Sequence, residues 1–232
     1  MKKKIALAGL LSVCSLFAQT QAHAISFFSY DDYAYILKTY VQQDGLVDYA
    51  GIKKDRKRLD QFVVQMGKLD ERTFTQLPEK QRLAFWINAY NALTLQGVIN
   101  HYPMKSFRDV GSIFNSTQDK LKFKVMGKTM TLNHIEHKIL RKEFNEPRLH
   151  VAINCAAYDC PRLRNDVYLP EKLESQLTEQ SKEFIDHPDK FRIDTVKRKI
   201  YLSKIFKWLG DDWIPTYYGK GTLKGYSKEH QA

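Results

Sequence analysis

Residues 78–100, PEKQRLAFWINAYNALTLQGVIN, decide the fold. Leu83, Trp86, Ile87, Tyr90, Leu93, Thr94 and Val98 recur at helical spacing, Pro78 suits a first turn, and His101-Tyr102-Pro103 stops the run. The apolar character extends over several sides of this helix, which predicts a buried central element. Asn88 and Asn91 lie three apart inside that apolar surround. A buried amide must find partners, so both are expected to anchor a polar network. They would either tie down the backbone of a neighbouring loop or line a ligand site.

Shorter elements surround this helix. Ser29 to Val41 and Lys54 to Met66 read as amphipathic helices, separated by a break and a short extended piece at Gly45-Leu46-Val47-Asp48-Tyr49. Phe123 to Met130 alternates around Gly127 and predicts a hairpin. Thr131 caps a helix running to about Phe144, which carries His134, Glu136, His137 and Arg141. Arg148 to Asn154 reads as a buried strand, and Pro170 opens another amphipathic helix. Phe191 to Asp194 and Ile200 to Phe206 read as a second hairpin, and the Gly- and Lys-rich tail from Tyr217 as loose chain. Helices at both ends with hairpins between them predict an α+β class: one domain, a buried central helix, surrounding helices and short antiparallel hairpins.

The first 24 residues have the form of a signal peptide. Lys2-Lys3-Lys4 is a positive start, Ile5 to Ala18 an uncharged apolar run, and Ala22-His23-Ala24 a small-x-small cleavage site. The run is too short and wrongly flanked for a membrane span, and no other stretch is long and apolar enough. Val13 before Cys14 argues against lipidation, since a small residue is expected there. Cleavage near Ala24 predicts a periplasmic or secreted domain over residues 25–232, with a core at about 30–213. It also lowers the net charge from +11 to about +8. That export argues against nucleic acid as the target of Lys53-Lys54-Asp55-Arg56-Lys57-Arg58. The run reads as a solvated face or as attraction to anionic envelope polymers or lipid.

Chemistry concentrates at Leu149-His150-Val151-Ala152-Ile153-Asn154-Cys155-Ala156-Ala157-Tyr158-Asp159-Cys160-Pro161. Cys155 and Cys160 are the only thiols after the leader, and in an oxidising compartment the default is a disulfide. The alternative is a nucleophilic Cys155, which needs a lowered pKa and a base. His150 is nearest in sequence, although on a regular strand positions five apart face opposite sides; His134 or His137 could serve instead. The spacings C-x4-C and H-x2-H do not match short zinc signatures, so no metal and no cofactor are expected. There is no G-x-S-x-G, H-E-x-x-H, P-loop or S-x-x-K, and Gly219-Lys220-Gly221 follows no strand. The aromatics of Trp208 to Trp213 read as core closure or, alternatively, as a sugar-stacking surface.

Five motifs in order resemble the DUF547 family, a domain of unknown function found in bacterial envelope proteins and plant proteins. They are Gly45 to Tyr49, Ala84 to Ala92, Leu132 to Arg141, His150 to Pro161 and Leu202 to Trp208. Asn88, Asn91, Glu136, His150, Cys155 and Pro161 match motif residues of that family. In that motif serine can stand at the position of Cys160, which tilts the resemblance towards a site role for Cys155. The general look is also distantly similar to papain- and transglutaminase-like thiol enzymes. Those place the nucleophile at the start of the central helix, where this chain has Trp86, Asn88 and Tyr90.

Two functions follow as expectations. In the first, a thiol hydrolase or transferase acts on amide or ester bonds, such as those of envelope peptides. Cys155 attacks, His150 takes the proton, Glu136 or Asp159 orients the imidazole, and Asn88 or Asn91 donates to an oxyanion. In the second, a non-catalytic domain with a structural Cys155–Cys160 disulfide binds anionic envelope components or an envelope protein.

Overall fold

A computed structural model describes residues 28–111, 116–157 and 160–217. The leader, Cys14, Tyr158, Asp159 and the tail glycines therefore lie outside the described residues.

The architecture is α+β, built around one long helix. Helices α1 (Asp31–Tyr40), α2 (Tyr49–Lys54), α3 (Lys57–Lys68) and α4 (Glu71–Thr75) precede α5 (Glu79–His101). Next come a 3-10 turn at Phe107–Val110, the short α6 (Thr117–Lys120), and the hairpin of β1 (Lys122–Val125) and β2 (Lys128–Thr131). Helices α7 (Leu132–His134) and α8 (Arg141–Glu143) flank a π-helical turn at Ile135–Leu140. The chain continues through α9 (Leu149–Ala152), α10 (Leu173–Asp186), the hairpin of β3 (Phe191–Asp194) and β4 (Lys199–Leu202), α11 (Lys204–Trp208) and α12 (Gly210–Tyr217).

Helix α5 is buried almost throughout, from Leu83 to Ile99. An apolar cluster gathers around it: Tyr33, Ile36 and Leu37 of α1, Leu59, Phe62 and Met66 of α3, and Ile135 and Leu140 from the π turn. Tyr33 stacks on Phe62 with ring centroids 5.0 Å apart. At Gly97 a Cβ would meet the Leu121 Cδ1 at 2.8 Å and the Phe107 ring at 3.2 Å, so a larger residue would displace those two side chains. The β1–β2 hairpin turns through Met126 and Gly127, both with positive φ, and the N–H groups of these two donate to the carbonyls of Met66 and Gly67.

Three readings of the sequence are corrected. The basic helix expected from Lys54 is split, because α2 ends at Lys54 and α3 starts at Lys57. The expected strand at Arg148 to Asn154 is instead one helical turn. Its N–H groups bond locally, Leu149 to Glu146, His150 to Pro147, Val151 to Arg148 and Ile153 to Leu149. A short buried apolar run fits strand or helix equally well, and among the described residues no partner strand lies beside it. The local turn satisfies backbone groups that burial would otherwise orphan. The second hairpin forms as expected through Asp194, but its return strand stops at Leu202 and α11 follows.

Candidate functional site

Among the described residues, 153–157 and 160–172 have no regular structure, yet most are buried or half-buried. Their backbone groups must therefore find side-chain partners. Four buried amides supply them. The Asn88 amide donates to the Tyr168 carbonyl (2.8 Å) and its oxygen accepts from the Tyr168 N–H (3.0 Å). Asn91 donates to the Ala152 carbonyl (2.9 Å) and accepts from the Asn154 N–H (2.8 Å). From α10, Gln176 pairs with the Leu169 N–H and the Val167 carbonyl, and Gln180 donates to the Arg162 carbonyl. Asn88 and Asn91 thus tether the loop, each through one N–H and its carbonyl oxygen.

The loop at 154–161 is closed three times over. Cys155 and Cys160 form a disulfide, with Cα atoms 6.1 Å apart. Asn154 spans the same loop from within, donating to the Pro161 carbonyl (2.7 Å) and accepting from the Ala156 N–H (2.8 Å). The Cys160 N–H donates to the Ala157 carbonyl (3.0 Å). Ala156 takes a left-handed conformation at φ 56°.

Two clefts flank this loop, and Ala156, Ala157 and Tyr49 line both. The larger, about 700 Å³, adds Cys160, Pro161, Arg162 and Glu183, and the Gln42–Val47 turn on its far side. That turn crosses Arg162 so closely that a Cβ at Gly45 would lie 2.6 Å from it. The smaller cleft, about 410 Å³, adds Tyr102, Met104, Lys105 and Arg108. Burial pushes the Tyr49 phenol up to about 12, so it stays a neutral hydroxyl at any ordinary pH.

His150 lies elsewhere, in a second cluster. It is 2% exposed, and its Nε2 pairs with Asp212 Oδ2 at 2.7 Å. Asp212 also receives Arg141 in a two-pronged contact (2.6 and 3.1 Å), and Arg141 contacts His137 Nδ1 at 2.8 Å. Glu136 accepts from the Tyr90 hydroxyl (3.2 Å) and stands 4.0 Å from His137 Nε2. The π turn carries Glu136 and His137; such turns add a residue to the helical register and re-aim side chains. Burial pushes the His150 imidazole below its ordinary value, and the pull of Asp212 and Glu136 does not restore it. Burial pushes the Asp212 carboxyl up, but hydrogen bonds from Arg141 and His150 prevail and hold it low.

Sequence reasoning placed His150 and Glu136 in one neighbourhood, and they do share one. It missed Asp212, which is 62 positions from His150 and has no spacing signal tying it there. The hydrogen bond of His150 goes to Asp212, neither to Cys155 nor to Glu136. Among the described residues no three His, Cys, Asp or Glu side chains gather as a metal site would require, and no helix is long and apolar enough to cross a membrane.

Residues 74–185 match the family described as protein of unknown function, DUF547, which takes in the central helix, the π turn, the disulfide loop and most of α10. No curated protein and no solved structure matches the chain.

Proposed function

We propose that this DUF547 protein is an exported binding domain of the cell envelope, with the disulfide-closed loop at 154–161 as its recognition element. One observation carries the reading: two methyl-bearing residues of that loop, Ala156 and Ala157, form a wall of both clefts. Each cleft falls within the size range of small-ligand sites. A loop held by a covalent bridge, by Asn154 and by Asn91 meets a ligand without paying to become ordered. Lys105 and Arg108 favour an anionic envelope component in the smaller cleft, whereas in the larger one Arg162 is paired with Glu183 at 3.0 Å. Export is supported by the pattern of Met1 to Ala24, and a bridge between Cys155 and Cys160 suits an oxidising compartment.

The test is NMR titration with soluble, acidic envelope peptides. Shifts centred on Ala156, Ala157 and Tyr49, lost in Ala157→Arg at unchanged stability, are the expected result. Shifts that bypass the loop would sink the reading. Fractionation of expressing cells tests export: the protein should leave with the periplasmic or secreted fraction.

A thiol hydrolase or transferase is the second reading, favoured by His150. Asp212 holds one ring nitrogen, and the other, Nδ1, is buried with no hydrogen-bond partner. An aspartate-oriented neutral imidazole is the form in which histidine acts as a base. Here Cys155 becomes available only once a reductant opens its bridge. If reduced protein alkylates at Cys155 faster than free cysteine at pH 7, and His150→Gln abolishes the excess, this reading displaces the first.

A further inference from the structure

We propose that the β3–β4 hairpin, with the adjoining α11, is a docking surface for an anionic phospholipid bilayer. It is separate from the disulfide loop and does not depend on that loop's role.

Register fixes the two faces of the hairpin. Phe191 pairs with Leu202 and Ile193 with Ile200, while Arg192 pairs with Tyr201 and Asp194 with Lys199. Directly opposed residues share a face, and neighbours along a strand alternate. One face is therefore Phe191, Ile193, Ile200 and Leu202. The other is polar, with the Arg192 guanidinium 4.3 Å above the Tyr201 ring. An antiparallel sheet ordinarily turns its apolar face to the core. Here that face looks outward: Ile193 is 58% exposed, Ile200 64% and Leu202 56%, and Val196 at the turn reaches 93%. Trp208, at the end of α11, is 67% exposed. Contiguous apolar surface of this kind marks an interaction site.

Charge identifies the occupant. Beside the apolar face the turn carries Lys197, 3.9 Å from Asp194, and Arg198, and α11 adds Lys204 and Lys207; Arg192 and Lys199 sit on the opposite, polar face. An anionic bilayer satisfies both features at once: the aliphatic side chains enter the boundary between headgroups and acyl chains, and the cations rest on phosphates. Tryptophan, here the exposed Trp208, prefers that same depth.

Flotation with vesicles tests this, using protein purified from expressing cells and comparing variants that differ only in the hairpin. Vesicles of phosphatidylethanolamine and phosphatidylglycerol at 3:1 should carry the protein up, and pure phosphatidylcholine vesicles should carry far less. Ile193→Asp/Ile200→Asp should lower partitioning at least tenfold with an unchanged melting profile, since neither side chain is part of the core. Lys197→Gln and Arg198→Gln at the turn should each lower it about fivefold, and added salt should mimic them. The proposal is overturned by equal flotation of the Ile193→Asp/Ile200→Asp protein, by no flotation on phosphatidylglycerol, or by a dimer that Ile200→Asp dissociates while vesicles bind nothing.

Discussion

Helix α5 buries its residues from Leu83 to Ile99 with the sole exception of Gln96, whereas from Phe191 to Thr216 no side chain is buried. Around α5, packing excludes water and two asparagines satisfy the neighbouring loop. The C-terminal segment is held by salt-bridged Asp212, by hydrogen bonds of Ser203 N–H to the Lys190 carbonyl (2.7 Å) and of Thr216 to Asn145 (3.3 Å), and by ring contacts, Phe206 with Phe184 (6.0 Å) and with Trp213 (5.5 Å), and Trp213 with His150 (6.3 Å). Stability in a protein is not uniform; segments with little buried apolar area open first. The contrast predicts a molecule whose centre melts as one unit and whose C-terminal helices detach before it.

The largest effect should come from the α5 side. Asn91→Ala strands the Ala152 carbonyl and the Asn154 N–H in a buried place, at a cost of about 3 kcal/mol. Chemical denaturation should show that loss with the unfolding still cooperative. A loss below about 1 kcal/mol would mean that water reaches those groups, and the tether would not hold the loop.

Replacing both cysteines, Cys155→Ala/Cys160→Ala, should cost about 2 kcal/mol through the entropy of so short a closed loop. Asn91 and Asn154 still hold the ends of the loop, so cleft binding should weaken and not vanish. If binding is unchanged, preorganisation by the bridge has no part in recognition.

Asp212→Ala is the sharpest probe of the other region. It removes the partner of both Arg141 and His150, a local loss of about 1–2 kcal/mol. Hydrogen exchange over residues 204–216 should accelerate while α5 amides keep their protection. Acceleration spread evenly across the chain would show the two regions to be one cooperative unit.

Legibility in the sequence follows the same division. Period, proline and glycine disclosed α5 and the β1–β2 hairpin, because burial on a fixed face leaves a repeating pattern. Asn88 and Asn91 stood out as amides in an apolar field, and their tethering role was one of two options that rule allows. The turn at His150 was misread because four buried apolar residues have no period of their own. Asp212 left no trace: its partners lie on elements joined to it only by tertiary folding. The start of α11 did carry a local sign, Ser203 accepting from the Ile205 N–H, which the expected strand through Phe206 overrode.

Acidification gives the smallest and most specific contrast. Both His150 and Asp212 have folded-state values below their ordinary ones, so each adds stability that is complete above its unfolded pKa and lost as pH falls through the folded one. For His150 the loss begins below about pH 6.5, and for Asp212 only below about pH 3.9. Between pH 7.5 and 5.5 only the His150 contribution should fade, among the two. Its facing charges are Asp212 on α12, Glu136 in the π turn and Arg141 on α8, and of these the nearest is the carboxylate that would welcome its proton. The burial cost therefore falls on a histidine whose partner sits on the weakly held helix. Protonation would be relieved by letting solvent in beside α12. Exchange over residues 204–216 should rise modestly as pH falls through this window, after correction for intrinsic rates, and stay flat in His150→Gln. The same rise in that variant would assign the loosening to another group and leave the C-terminal segment pH-independent at this site.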